Sequence, residues 1–132
     1  REVSRFHLEA GIAAIHAGAH LSGGTDWRRV LDMYDEMMTR WPSPVVALNR
    51  AVAVRHVHGA MAAEAALKPA QADPSLASYA LLHAVAAEFA REREDPARAE
   101  ALLDRALACP CSERQRRFLQ RRRARVSVRI NV

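Results

Sequence analysis

The sequence predicts an all-α domain of antiparallel helix pairs, on three observations. Half of the 132 residues are apolar, yet aromatics make up 5%. The apolar share is mostly alanine, leucine and valine; alanine is the best helix former and lets helices approach closely. Apolar residues recur at spacings of three and four, the period of a helix with one buried face. The five glycines and six prolines fall mostly between these periodic segments, where they punctuate the chain. At this length, one domain with a substantial buried core is expected.

Seven helices follow in order. The first runs from about Glu2 to Ala19 on Phe6, Leu8, Ile12, Ile15 and Ala19, and Ser22-Gly23-Gly24 ends it. Thr25 or Asp26 caps the second, which carries Trp27, Val30, Leu31, Tyr34, Met37 and Met38. Trp41-Pro42 stops it, because proline disfavours helix in the residue before it. Ser43 caps the third, with Pro44 at the first turn, where its missing N–H costs nothing. This helix extends to about His56, Gly59 marks a turn, and the fourth helix ends near Leu67. Residues 68–72 read as a loop. Asp73-Pro74 starts the fifth helix, which continues through Leu76, Tyr79, Leu82, Ala86 and Phe89 to about Arg93. Asp95-Pro96 starts the sixth, with Ala99, Leu102, Leu103, Ala106 and Leu107, and Cys109-Pro110 ends it. Ser112 with Gln115 forms a capping box for the seventh, whose narrow apolar stripe is Phe118, Leu119 and Val126. The tail "RVSVRINV" alternates apolar and polar residues, compatible with a short extended strand or a frayed end.

A repeat underlies the helices. A tetratricopeptide repeat carries, on its second helix, a small or aliphatic residue, a large one four later, a small one three after that, and then a proline. Val30, Tyr34, Met37 and Pro42 fit; so do Ala99, Leu103 and Ala106, with Pro110 one place early, and Ala63, Leu67 and Ala70 fit loosely. Gly18 falls where the first helix of a repeat wants a small residue. The expected architecture is a tetratricopeptide-like right-handed α-solenoid of about seven helices. Residues 1–126 form a single domain of three degenerate pairs plus a capping helix, and residues 127–132 form the tail. The third helix, first of the central pair, then has neighbours on both sides, which accounts for its apolar run "PVVALNRAVAV".

The net charge of +5 is uneven. Residues 112–132 hold eight arginines against Glu113, so that segment carries +7 and the rest of the chain −2. Lysine occurs once, at Lys68, and with the heavy alanine use this points to a GC-rich genome more than to a selected phosphate-binding surface. No signal peptide is visible, and no apolar run reaches the roughly 20 residues a bilayer needs. Cys109 and Cys111 are no disulfide framework, and a reducing cytoplasm is the simpler setting. The chain begins with Arg1 and reads as a fragment of something longer.

Within the apolar third helix, Asn49 and Arg50 stand out. One reading is a latch, with Asn49 bonding a neighbouring helix's backbone and Arg50 pairing with Asp35 or Glu36. The other puts them in a concave groove as donors to a partner's carboxylate or backbone; His83 joins them as a candidate partner-binding side chain. Buried polar groups are normally satisfied, which favours the latch. His16 and His20 have metal-compatible spacing, but no HExxH motif or acid on that face supports it, and His7, His56 and His58 are scattered. "CPCSE" offers two thiols where a structural zinc site needs four ligands. There is no GxSxG, no oriented Cys–His pair and no glycine-rich phosphate loop; Asp32, Asp35 and Glu36 read as solvated. The chain is therefore expected to be no enzyme and to need no cofactor or metal. The run "RQRRFLQRRRAR" reads as a solvated capping helix. Its alternative is contact with nucleic acid or an acidic protein surface through Arg117, Arg121, Arg122 and Arg123. Its one aromatic, Phe118, falls on the apolar stripe rather than on a stacking platform.

Five segments, "FHLEAGIAAIHAGA", "TDWRRVLDMYDEM", "PSPVVALNRAVAV", "SYALLHAVAAEFAR" and "SERQRRFLQRR", occur in an order and with gaps that resemble the C-terminal extension of a group of bacterial extracytoplasmic-function-type sigma factors. In that group the DNA- and polymerase-binding regions are followed by a tetratricopeptide-like helical domain, and the genes often lie beside small DGPF-motif (YCII-related) proteins. The resemblance covers roughly residues 4–123, and "PSPVVALNRAVAV" is its most specific piece. It implies a regulatory, protein-interaction domain of a cytoplasmic factor in transcription initiation. The implied partners are the sigma core regions or RNA polymerase, with a homodimer possible. DNA would be contacted mainly through sigma regions that this sequence does not contain. The alternative reading is a free-standing helical-repeat adaptor, or a small-ligand sensor using the concave face.

Overall fold

The computed structural model describes residues 24–130, whose regular structure is all helical, with no strand among them. They form α1 (Trp27–Arg40), α2 (Pro44–His58), α3 (Ala60–Ala72), a 3-10 turn (Pro74–Leu76), α4 (Ala80–Glu92), α5 (Pro96–Leu107) and α6 (Glu113–Ile130). The expected first helix, Gly18, His7, His16 and His20 lie outside the described residues. None of the described helices is long and apolar enough to cross a membrane. The chain divides into two compact units, residues 1–66 and 67–132.

In the first unit α1 packs on α2. Asp26 caps α1, accepting from the Arg29 N–H at 3.3 Å. Ser43 caps α2, accepting from Val46 at 3.1 Å, with Pro44 in the first turn. Gly59 takes a φ of 94°, a backbone conformation that favours glycine, and it ends the helix there. Val46, Ala47, Leu48, Ala51, Ala53 and Val54 are all buried, so α2 is covered over a broad arc, as its apolar run requires. Trp27, at the start of α1, stacks on His56, near the end of α2, with ring centroids 3.8 Å apart. Asp35 meets Arg50 about midway along both helices, so the pair is antiparallel.

In the second unit α5 packs against both α4 and α6. Asp95 caps α5, and the Ser112–Gln115 box closes reciprocally at 3.0 and 3.1 Å at the head of α6. Arg116 reaches back to the Leu107 carbonyl at 3.3 Å. Two of the three small–large–small triplets are deeply buried: Ala63 of the first unit with Leu67 and Ala70 of the second, and Ala99, Leu103 and Ala106, are at most 4% exposed; in the other, Tyr34 is half-buried.

Three expectations about boundaries need correction. Residues 68–72 are not a loop, because α3 continues to Ala72 with Pro69 inside it. Buried Leu67 and Ala70 flank that proline, and their packing outweighs the missing backbone bond. Asp73-Pro74 does not begin a long helix. Asp73 binds both the backbone N–H and the hydroxyl of Ser75, which closes a tight local turn, and regular helix resumes only at Ala80. The tail expected at residues 127–132 is helical through Ile130: Val126 is buried, and the Arg123 guanidinium bonds the Ser127 hydroxyl one turn on.

Candidate interaction groove

Between α4 and α6, over α5, lies a groove of about 590 Å³. The sequence produces it by giving α4 two faces. Leu82, His83, Ala86, Phe89 and Ala90 are buried, while Leu81, Ala84, Val85 and Glu88 line the groove on a second stripe. On α6, Leu119 and Val126 are the buried anchors at 3% and 4% exposure, two turns apart on one face. Phe118, Arg122 and Arg125 then fall on the groove side, and Leu103 of α5 contributes to the lining. Leu81 and Phe118 are 40% and 46% exposed, large apolar side chains on opposite walls. The expected apolar stripe of α6 is therefore corrected at Phe118, which faces out while its neighbour Leu119 faces in.

Charges organise the same place. Glu88 receives Arg91 from its own helix at 2.5 Å and Arg122 from α6 at 2.6 Å, so one carboxylate ties the two walls together. The Glu88 hydrogen bonds raise the Arg91 pKa above its ordinary value. The Arg122 guanidinium also lies over the Phe118 ring, 4.9 Å from its centroid, a cation–π contact.

The arginines singled out from the sequence divide into two sets. Arg122 and Arg123 are engaged within the unit. Arg123 pairs with Asp104 at 2.7 Å and Glu100 at 3.1 Å, both on α5, and those carboxylates raise its pKa, the Asp104 bond most. Arg117 and Arg121 are exposed; Arg117 makes one long contact with Glu113 at 3.6 Å. Arg114 and Arg125 are exposed as well, and with Arg117 and Arg121 they form a stripe at intervals of three and four residues.

Arg50 donates to Asp35 at 2.6 Å, a link from α2 to α1 with both side chains substantially exposed. Asn49 beside it is half-buried, with no side-chain hydrogen bond among the described residues. His83 is 6% exposed, and its Nε2 contacts the Ala77 carbonyl at 2.8 Å. That bond fastens the turn before α4, and burial leaves little of the residue exposed. Cys109 is buried with its thiol donating to the Arg105 backbone carbonyl at 3.2 Å, while Cys111 is half-buried. Among the described residues, no three His, Cys, Asp or Glu side chains gather as metal ligands. Sequence reasoning missed Leu81, Val85 and Glu88. The available signal was the second stripe on α4, with Leu81, Ala84, Val85 and Glu88 at helical spacing.

No known family profile matches the chain, and no solved structure matches it. It is similar to an uncharacterized protein, R00370, of Rhizobium meliloti (strain 1021), at 34% identity over 108 residues. That match takes in 82% of this chain and 25% of the other protein, so the chain spans about a quarter of that relative's length.

Proposed function

We propose that this chain is a regulatory, protein-docking domain of an extracytoplasmic-function-type sigma factor. It works in the bacterial cytoplasm by binding rather than catalysis, and the α4–α6 groove is its docking surface. The observation that carries the reading is the groove itself. Two large apolar side chains stand exposed on opposite walls above an apolar floor, where a partner's side chains would bury more apolar area. Both walls come from segments that carry the family resemblance: "SYALLHAVAAEFAR" supplies α4 and "SERQRRFLQRR" begins α6. The match to part of a longer protein is what a domain attached to other regions would give. The finer architecture we propose is a tetratricopeptide-like right-handed solenoid of about seven helices. Burial of two of the repeat's three small–large–small triplets, Ala63–Leu67–Ala70 and Ala99–Leu103–Ala106, supports it.

The test is retention. The chain is immobilised and exposed to purified sigma core regions and to RNA polymerase at about 0.15 M salt. Retention of either is expected, and retention of neither overturns the reading.

A further inference from the structure

We propose that the occupant of the groove is an acidic amphipathic helix of a partner protein, and that Glu88 is a built-in competitor for the partner's carboxylates. The inference rests on the docking reading and adds the chemistry of the partner.

Dimensions come first. The α4 wall runs from Leu81 to Arg91 and the α6 wall from Phe118 to Val126. At about 1.5 Å per residue the groove is roughly 12–15 Å long, room for two to three turns of helix. A helix laid there would present apolar residues at i, i+3, i+4 and i+7 to Val85, Leu103 and Leu119.

Charge then selects among helices. Among the described residues the lining holds Arg91, Arg122 and Arg125 against one carboxylate, that of Glu88, and that carboxylate is already shared by two of the three. Arg125 makes no ion pair among the described residues, and the exposed stripe of Arg114, Arg117 and Arg121 continues the positive surface along α6. A basic or neutral helix gains nothing from this rim, whereas an acidic one meets complementary charge along the α6 wall. Nucleic acid fits less well. Its backbone has no aliphatic stripe for the floor, and the one ring that lines the groove among the described residues, Phe118, is faced by the Arg122 guanidinium rather than left open for a base.

The Glu88–Arg122 bridge ties one wall to the other. A partner carboxylate seeking Arg122 must share or displace Glu88. Removing the Glu88 charge should therefore tighten binding, whereas a bridge that merely held the walls in place would give weaker binding when cut.

The experiment measures fluorescence anisotropy of the intact chain with a labelled, end-capped helical peptide of about four turns, leucine on one face and glutamate on the other. A lysine-for-glutamate version and duplex DNA are run beside it at about 0.15 M salt. The acidic peptide should bind and the basic one should not. Leu81→Gln should weaken binding about tenfold, Arg125→Glu about three- to tenfold, and Glu88→Gln should strengthen it about threefold. Far-UV circular dichroism checks that each variant folds; the three side chains are exposed or half-exposed. Equal binding of both peptides, unchanged binding by Leu81→Gln, or weaker binding by Glu88→Gln would each overturn the proposal. So would DNA binding that Arg125→Glu abolishes while the acidic peptide fails to bind. If polymerase or sigma core is retained equally by wild type, Leu81→Gln and Arg125→Glu, the docking domain stands but this groove and its chemistry do not.

Discussion

Replacing Arg123 by alanine should loosen α6 from α5 by an amount that depends on salt. The guanidinium is an electrostatic clamp: Nε donates to Asp104, Nη2 to Glu100 and Nη1 to the Ser127 hydroxyl. The Arg123 and Glu100 side chains are 29% and 31% exposed, but Asp104 is 55% exposed, so water screens that end most. Exposed pairs contribute about 0.2–1 kcal/mol each, which places the total loss at about 1–1.5 kcal/mol. The Debye length falls from about 10 Å at 0.1 M salt to about 3 Å at 1 M, so the loss should shrink by roughly half at the higher salt. Arg123→Met, which keeps the aliphatic stem, should recover any share due to packing. The assay is urea denaturation at the two salt concentrations. A loss above about 3 kcal/mol, or one equal at both salts, would refute the clamp. No loss at either salt would refute it too, leaving Leu119 and Val126 to hold the helix alone.

Leu119→Ala should cost more, about 2–4 kcal/mol, because the side chain is 3% exposed; urea midpoints compared with Arg123→Ala give the ranking. Glu94, at a φ of 59°, is a non-glycine residue in the left-handed region between α4 and α5. Glu94→Gly should raise stability by about 0.5–1 kcal/mol, read as a higher melting temperature. Asp73 makes a distinct contribution in acid. The Ser75 hydroxyl, and then its N–H, hold the Asp73 carboxyl below its ordinary 3.8, so the ionised form is favoured in the folded chain. The stability this adds is complete above the ordinary value and disappears as pH falls through the lowered folded value. Asp73→Asn should flatten that part of the pH–stability curve, measured by urea midpoints from about pH 5 to pH 2.

Caps were the most legible part of the sequence. Asp26, Ser43, Asp95 and Ser112 all bond the N–H groups expected of them, because a cap is a local contract between residues two or three apart. Pro69 and the Asp73-Pro74 pair were misread for the opposite reason. A proline's local cost is fixed, but whether a helix absorbs it depends on packing by residues such as Leu67 and Ala70. Of the two acids the sequence offers Arg50, Asp35 and Glu36, the structure pairs it with Asp35; which of two neighbours on α1 it meets is set by the register of the helix pair, which no local signal fixes. The groove was hidden. Phe118 and Leu119 are neighbours about 100° apart on α6, and nothing local decides which of them turns inward. Likewise Arg122 and Arg123 look free in a run of like charges until the carboxylates of α4 and α5 are brought beside them.

The Trp27–His56 stack has an optical consequence. The chain's two tryptophans, Trp27 and Trp41, both belong to residues 1–66, so indole emission reports on that half of the chain. The stacked imidazole sets the surroundings of the Trp27 indole, so native emission should change in His56→Gln, which removes the ring. Fluorescence and far-UV circular dichroism then become independent witnesses to unfolding: coincident curves mean that both halves come apart together, and separated curves resolve the order in which they melt.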